Sequence, residues 1–187
     1  MRSPRLILPI ISARLALIPL SPEFLEACLM GELSRATDLL GYPIPPDWLA
    51  EQAVMRVRLD QLHQNPALQP WLLRAIILRA AQTMIGNIGF HSAPGPAYLA
   101  AIAPGGQGVE FGYTIFPAFR RQGYAREASV ALMAWAAKQH HVDQFVLTIS
   151  PTNLPSLRIA QRLGFRKVGA HIDDVDGPED IFRLDWE

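Results

Sequence analysis

The segment between residues 109 and 149 constrains the fold more than any other part of the chain. Residues 109–115 alternate between large apolar side chains and polar or small ones, which predicts a strand with one buried face. Residues 123–140 carry an apolar stripe at helical spacing, and residues 145–149 form an apolar run typical of a buried strand. A strand, a helix and a strand within about 40 residues predict a βαβ unit with parallel strands and a right-handed crossover.

The remaining segments predict further strands and helices around this unit. Strands are expected at residues 14–20, 71–78, 84–91, 165–170 and 181–186, the second and third of them forming a hairpin. Helices are expected at residues 21–30, 34–40, 47–64 and 153–163, the first of them capped by Ser21 with Pro22 at the first helical position. Asn153 is a candidate N-cap for the last of these helices. Proline and glycine clusters predict a loop over residues 93–108.

The composition bounds the class of protein. The 187 residues, half of them apolar, suit one domain spanning the whole chain, residues 1–187. Seventeen Lys and Arg balance seventeen Asp and Glu, so no net charge would draw the chain to nucleic acid or to an anionic membrane. No apolar stretch approaches the ~20 residues of a membrane helix, and the single cysteine, Cys28, can form no internal disulfide. We therefore expect a cytoplasmic protein with Cys28 as a small buried residue.

The loop between the strand at 109–115 and the helix at 123–140 has the features of an anion site. A helix N-terminus offers unpaired backbone N–H groups and the positive end of the helix dipole. Gly123 permits close approach of a ligand, and Ala125 keeps the first helical turn small. Arg120 and Arg121 add positive charge, so the loop would suit a pyrophosphate.

Two motifs then resemble those of the GNAT acetyltransferase superfamily. Motif A, a strand followed by Pro and Arg-x-x-Gly-x-Ala, is met by Ile115, Pro117, Arg120, Gly123 and Ala125. Motif B, an Asn-x-x-Ser helix that ends in Leu-Gly-Phe, is met by residues 153–165. The pair Glu127-Ala128 is typical of the branch that is similar to RimJ and RimL, the ribosomal-protein acetyltransferases. Fainter similarity occurs at residues 14–20 and 85–90.

This resemblance implies an α/β fold with a mixed, mostly antiparallel sheet, two splayed central parallel strands and flanking helices. It implies acetyl-CoA as co-substrate and no metal. Backbone groups at Ile115, Phe116 and Pro117 would bind the pantetheine arm, and Asn153 and Ser156 would contact that arm from the other side. The pyrophosphate would be held by Arg120 and by the amides of the next six residues, which are Arg121, Gln122, Gly123, Tyr124, Ala125 and Arg126.

The catalytic residues are less constrained by sequence. An amine must lose a proton before it attacks a thioester, so a base is needed, directly or through water. Glu110, in the Glu-x-Gly-Tyr pattern of the RimL-like branch, is the first candidate, and His91 is the second. Many family members place a tyrosine four residues before the glycine of motif B, but this chain has Ala160 there. The resemblance to RimL-like enzymes therefore points to Ser156 as the acid that protonates the leaving thiolate.

Several alternatives stay open at this point. The acceptor would be a protein N-terminus or a small-molecule amine, selected by residues 33–64 and a loop at 173–180. A noncatalytic acyl-CoA-binding module is the second reading, and a homodimer is an open alternative for assembly. A nucleotide-binding protein is disfavoured because the glycine patterns of such proteins are absent. Neither His140-His141 nor the acidic stretch at 173–177 has the spacing of a metal site, and we expect that stretch to be a solvated turn.

Overall fold

The computed structural model describes residues 7–173 and 177–186, and these residues form an eight-stranded sheet with helices on both faces. The strands are β1 (Ile10–Ile11), β2 (Leu15–Pro19), β3 (Leu73–Leu78), β4 (Thr83–Phe90), β5 (Val109–Ile115), β6 (Gln144–Ile149), β7 (Arg166–Asp173) and β8 (Gly177–Asp185). The helices are α1 (Pro22–Leu29), α2 (Leu33–Leu40), α3 (Pro46–Leu49), α4 (Gln52–Gln64), α5 (Tyr124–His140) and α6 (Leu154–Arg162), with 3₁₀ turns at Pro66–Leu68, Ala97–Leu99 and Pro117–Phe119. The predicted α/β fold is confirmed.

One pair of neighbouring strands in the described part of the sheet is parallel, and the two strands separate after two residue pairs. The strand order is β1-β2-β3-β4-β5-β6-β8-β7, and only β5 and β6 run parallel within the described residues. Val109 pairs with Phe145 and Glu110 pairs with Val146, and the pairing then stops. The rest of β5 stays bonded to β4, up to the pair Ile115 with Gly86. The predicted βαβ unit and the predicted splay are therefore both present.

The two faces of the sheet bury separate apolar clusters. Successive residues of each strand point to opposite faces, so a single strand contributes side chains to both clusters. On one face, α5 packs its buried residues, among them Ala128 and Leu132, against β5 residues Val109 and Phe111. On the other face, α1 to α4 cover β2 and β3, with Phe24 and Trp48 fully buried.

One helix prediction is wrong in its continuity. Residues 47–64 were expected to form one helix, but α3 ends at Leu49 and α4 begins at Gln52. The cause is Trp48, which is fully buried, stacks on Phe24 at 6.1 Å between ring centroids, and donates from Nε1 to Cys28 Sγ at 3.4 Å. This burial holds α3 against α1, so the chain turns at Ala50 before α4 starts. Cys28 is itself buried, as expected.

The C-terminal hairpin also differs from expectation. β7 extends to Asp173 and β8 begins at Gly177, whereas strands were expected at 165–170 and 181–186. Register pairs His171 with Glu179 and Asp173 with Gly177, so residues 177–180 belong to a strand rather than to a loop. Residues 174–176 lie outside the described residues, and the predicted solvated turn there stays a prediction. β1 was not predicted at all, because two residues carry no periodicity.

In the part of the chain that the structure describes, no helix has both the length and the apolar character needed to cross a membrane.

Candidate active site

A cleft opens where β5 and β6 diverge. Its volume is about 310 Å³, and its walls come from both strands and from the start of α6. Its lining residues are Phe111, Gly112, Tyr113, Leu147, Thr148, Ile149, Ser150, Asn153, Ser156 and Glu179. Asn153 and Ser156, two of the predicted site residues, therefore line one cavity with the splayed strands.

The backbone of β5 turns free polar groups into this cleft. The amide of His91 donates to the Glu110 carbonyl at 2.8 Å, and the amide of Phe116 donates to the Ile85 carbonyl at 2.9 Å. The backbone N–H and C=O groups of successive strand residues point to opposite sides. Because Glu110 and Phe116 bond toward β4, the backbone groups of Tyr113 and Ile115 point toward β6. The Ile115 carbonyl accepts from Arg120 Nε at 2.9 Å. The amides of Tyr113 and Ile115 are thus the donors that face the cleft, whereas the Phe116 amide is already bonded.

The turn after β5 exposes a run of unpaired amides. Among the described residues, no backbone N–H from residues 121–126 donates a hydrogen bond to a protein acceptor. Gly123 caps α5 in the left-handed region, with φ +81°, and no side chain bonds to the first helical turn. Arg120, Arg121, Gln122 and Arg126 are exposed, while the Tyr124 side chain is buried. The predicted pyrophosphate residues therefore form one open helix N-terminus.

Arg14 and Glu127 hold this turn, and neither was assigned a site role from sequence. Arg14 donates from Nε to Glu127 Oε2 at 2.6 Å and from its amide to Oε1 at 2.7 Å, and it donates from Nη1 to the Gln122 carbonyl at 3.1 Å. Its guanidinium also lies over the Tyr124 ring, 4.4 Å from the centroid. Only the faint motif at residues 14–20 hinted at this contact, which spans 113 positions.

Ser156 and Asn153 occupy the opposite wall, next to Tyr113. The amide of Ser156 donates to Asn153 Oδ1 at 3.3 Å, so Asn153 is the predicted N-cap of α6. The Tyr113 hydroxyl is buried and meets no hydrogen-bond partner with good geometry among the described residues. Burial raises the pKa of Tyr113, and the neighbouring Ser156 side chain offsets part of that rise. Tyr113 is thus a further candidate proton donor, which the sequence did not single out although it ends the Glu-x-Gly-Tyr pattern. Ala160 is fully buried in the core.

Glu110 and His91, the two base candidates, lie side by side at the point of divergence. His91 Nδ1 is 3.5 Å from Glu110 Oε2, and the Thr148 hydroxyl of β6 donates to Glu110 Oε1. Burial raises the pKa of Glu110, but the hydrogen bond and charge of His91, followed by hydrogen bonds from Thr148 and Tyr98, outweigh it and lower that pKa below its usual value. Glu110 is therefore ionised at neutral pH. Burial, and then the Glu110 charge, raise the pKa of Tyr98.

Gly112 joins the cleft to a second cavity on the other side of β5. This cavity has a volume of about 180 Å³ and is lined by Glu51, Val54, Arg58, Leu73, Asn87, Gly89, His91, Gly112, Tyr113 and Thr114. We call the place where the two cavities meet at Gly112 the junction. A Cβ at Gly112 would lie 3.2 Å from His91 Nε2, so the absence of a side chain at Gly112 leaves space next to that nitrogen. The second cavity brings the α3–α4 region, predicted to select the acceptor, to His91.

Three side chains on the β7–β8 hairpin bring potential metal-ligand atoms close together. One ligand atom each from His171, Asp173 and Glu179 lies within 4.8 Å of the others. His171 Nε2 is 3.6 Å from Glu179 Oε2, and Glu179 also lines the cleft. His140 instead packs its ring against Trp71, 4.5 Å between centroids, at the end of α5. The predicted absence of a metal stays a prediction.

Comparisons with known proteins agree with the resemblance. A family model described as an acetyltransferase (GNAT) domain matches residues 14–166. The chain is 30% identical over 94 residues to the uncharacterized N-acetyltransferase YnaD of Bacillus subtilis (strain 168). That match spans 50% of this chain and 49% of the relative, about half the length of each.

Solved structures share the fold at low sequence identity. An acetyltransferase (GNAT family) from Bacillus anthracis superposes with a TM-score of 0.61 and 19% identity, over 95% of this chain and 98% of that one. RimL, a ribosomal alpha-N-protein acetyltransferase solved in complex with coenzyme A, superposes with a TM-score of 0.63 and 19% identity, again over 95% and 98%. Because the family model covers well over half of its residues, the chain belongs to the GNAT acetyltransferase family.

Proposed function

We propose that the chain transfers an acetyl group from acetyl-CoA to a primary amine by direct attack in a ternary complex. The observation that carries this proposal is the divergence of β5 from β6 after Glu110, next to an open helix N-terminus. Membership of the GNAT family supports the choice of donor. The RimL structure with coenzyme A supports it further, since the two chains share a fold.

The residues present fit acetyl-CoA. The unpaired amides of residues 121–126 suit a pyrophosphate, because a helix N-terminus binds anions through free N–H groups and its dipole. The inward amide of Ile115 would pair with an amide group of the pantetheine arm, as a neighbouring strand would. Asn153 and Ser156 would face that arm from α6. When bound, acetyl-CoA supplies a thioester whose carbonyl carbon accepts the amine.

Glu110 and His91 act together as the base in this proposal. A carboxylate with a lowered pKa is a weak base, because efficient general bases have a pKa near the working pH. Glu110 instead faces Nδ1 of His91, which leaves Nε2 to accept a proton at the Gly112 junction. A buried carboxylate that orients an imidazole and stabilises its charged form is a known catalytic arrangement. In this proposal His91 accepts the proton from the substrate amine, and Glu110 positions His91.

Protonation of the leaving thiolate falls to Ser156 and Tyr113. Ser156 lines the cleft at the start of α6, as the sequence resemblance suggested. The Tyr113 hydroxyl beside it stays protonated at neutral pH, because burial raises its pKa. The inward amide of Tyr113 would stabilise negative charge on the thioester oxygen, as preorganised backbone donors do in acyl transfer.

A noncatalytic acyl-CoA-binding module is the second candidate. The absence of a tyrosine at position 160 is the observation that favours it, since Ala160 offers no proton donor. The acceptor in the leading proposal is either a protein N-terminus or a small-molecule amine.

The test is turnover of acetyl-CoA by the purified full chain with a panel of amines that includes peptides, amino acids and polyamines. Release of free CoA that depends on one of these amines is expected. Tight binding of acetyl-CoA without turnover of any amine would favour the noncatalytic module. Absence of both binding and turnover would overturn the proposal.

A further inference from the structure

The second cavity contains hydrogen-bond donors that the protein leaves unused. Asn87, on β4, is 5% exposed, and its Nδ2 atom has no hydrogen-bond partner among the described residues. Asn87 lines the cavity together with His91. A buried donor without a partner lowers stability, so native sites usually supply an acceptor from a ligand or a water. This atom therefore indicates where an acceptor group of the substrate would lie.

Arg58 adds a positive charge to the same cavity. It lies on α4, its side chain is half-buried, and burial lowers its pKa, with the nearby Tyr98 and Glu110 opposing that shift. An arginine stays charged even so. Its Nη1 atom donates to Gln61 Oε1 at 2.8 Å and lies 3.4 Å from the His91 carbonyl. No carboxylate in residues 7–173 or 177–186 forms an ion pair with Arg58.

We infer that this cavity binds an α-amino acid through its carboxylate. The inference rests on the proposed acetyl transfer and names its acceptor. A guanidinium matches a carboxylate with two parallel N–H donors, and Asn87 Nδ2 would donate a further hydrogen bond to the same group. The carboxylate would occupy the space between Arg58 and Asn87, and the amine would face His91 Nε2.

Arg58 and His91 are neighbours in this cavity. Nη1 of Arg58 contacts the His91 carbonyl, so the cation and the proposed proton acceptor belong to adjoining parts of one site. An amine and a carboxylate on the same carbon fit this arrangement. The volume of about 180 Å³ is also below the 300–1,000 Å³ of sites for drug-sized ligands, which favours a compact acceptor.

Glu51 shapes the choice of side chain. It immediately precedes α4 and lines the same cavity, about two helical turns from Arg58. A carboxylate at that end would repel an acidic side chain of the substrate. We therefore expect neutral amino acids to be better acceptors than aspartate or glutamate.

The experiment compares alanine with alanine amide and with an alanyl peptide as acceptors at saturating acetyl-CoA. The wild-type chain is expected to show a kcat/KM at least tenfold higher for alanine. Intrinsic reactivity cannot cause this preference, because the amino group of alanine amide has a lower pKa than that of alanine and is therefore less protonated at neutral pH. Arg58→Gln should abolish the preference and Arg58→Lys should keep part of it. Arg56→Gln, on an exposed position of the same helix, should leave it unchanged.

The outcomes separate this inference from the proposed function. Equal rates for the three acceptors, or a preference for the amide or the peptide, would overturn the inference and leave acetyl transfer standing. Loss of acetyl-CoA binding and of all turnover would overturn both. If Arg58→Gln fails to fold, calorimetry of the wild type with N-acetylalanine and N-acetylalanine amide decides, and equal affinities would overturn the inference.

Discussion

Nε of Arg14 lies 2.6 Å from Oε2 of Glu127, and this ion pair joins the turn between β1 and β2 to the first turn of α5. Glu127 also accepts from the Ser12 hydroxyl at 2.8 Å and from the Arg14 amide. The pair thus fixes the helix N-terminus, where the pyrophosphate is proposed to bind, against the edge of the sheet. Two residues far apart in sequence therefore position the proposed cofactor loop.

Glu127→Gln should lower the free energy of unfolding in a pH-dependent way. Burial raises the pKa of Glu127, but hydrogen bonds from Arg14 and Ser12, together with the charge of Arg14, outweigh it and lower that pKa. A lowered folded pKa stabilises the fold above the usual glutamate pKa of about 4.3, and the contribution is lost as pH falls through the folded value. We expect a loss of about 1 kcal/mol near neutral pH, since Arg14 is half-exposed and water screens the pair.

The measurement for Glu127→Gln is denaturant unfolding at a series of pH values. Glu32→Gln is the matched control, because Glu32 pairs with Arg35 on the exposed surface and should change stability very little. A difference between wild type and Glu127→Gln that stays constant into acid would contradict the expected linkage.

Gly112→Ala should reduce activity without reducing stability. Gly112 has no positive φ, so alanine fits its backbone, but the new Cβ would lie 3.2 Å from His91 Nε2. We expect kcat/KM to fall about tenfold, since misplacement of a catalytic group by less than 1 Å has effects of this order or larger. Gly169→Ala is the control, because its Cβ would meet Ile181 at an ordinary 3.6 Å. Equal activity of the two variants would contradict the role given to the junction.

His91→Gln and Glu110→Gln should each lower kcat/KM by about 100-fold or more, the range for loss of a general base. In His91→Gln the pKa of Glu110 should rise, because burial then raises it without the opposing His91 hydrogen bond and charge. His63→Gln is the control, since His63 pairs with Glu26 at 3.0 Å on the surface. The check is the pH dependence of kcat/KM together with the titration of Glu110 by NMR. An unchanged Glu110 titration in His91→Gln would contradict the coupling.

Tyr113→Phe and Ser156→Ala test which hydroxyl serves the leaving thiolate. The Tyr113 hydroxyl is buried without a good partner, so its removal should leave stability unchanged or slightly higher. We expect each variant to lower kcat by several-fold and the double variant to lose more than either, because both hydroxyl-bearing side chains line the cleft next to each other. Wild-type kcat in both single variants would show that neither hydroxyl is the acid.

Much of the fold follows from local sequence patterns. The alternation over residues 109–115 predicted β5 to the residue, and Ser21 and Asn153 were recognised as helix caps. Burial of Trp48 broke the predicted helix at 47–64, because a contact with Phe24 of another helix outweighed local helix propensity. Pairing across the β7–β8 hairpin likewise extended both strands beyond their apolar cores.

The candidate site was only partly readable from sequence for the same reason. Glycine and arginine spacing located the helix N-terminus, since that site is contiguous in the chain. Arg14, Arg58 and Asn87 reach the site only through tertiary packing, and each is an ordinary helix or strand residue by its local pattern. The lowered pKa of Glu110 depends on His91 and Thr148, which come from two other strand segments. Local sequence patterns do not predict such tertiary contacts.

Calorimetry of acetyl-CoA with the wild type, Gly123→Ala and Gly123→Glu tests the proposed cofactor site most directly. Both substitutions carry the same backbone strain at φ +81°, and a Cβ there meets nothing closer than Arg14 Nη2 at 3.6 Å, so they differ in the size and charge of the rest of the side chain. We expect the wild type to bind, Gly123→Ala to bind more weakly, and Gly123→Glu to lose binding while it stays folded. A wild type that does not bind acetyl-CoA, or a Gly123→Glu variant that binds as tightly as Gly123→Ala, would contradict a pyrophosphate site at this helix N-terminus.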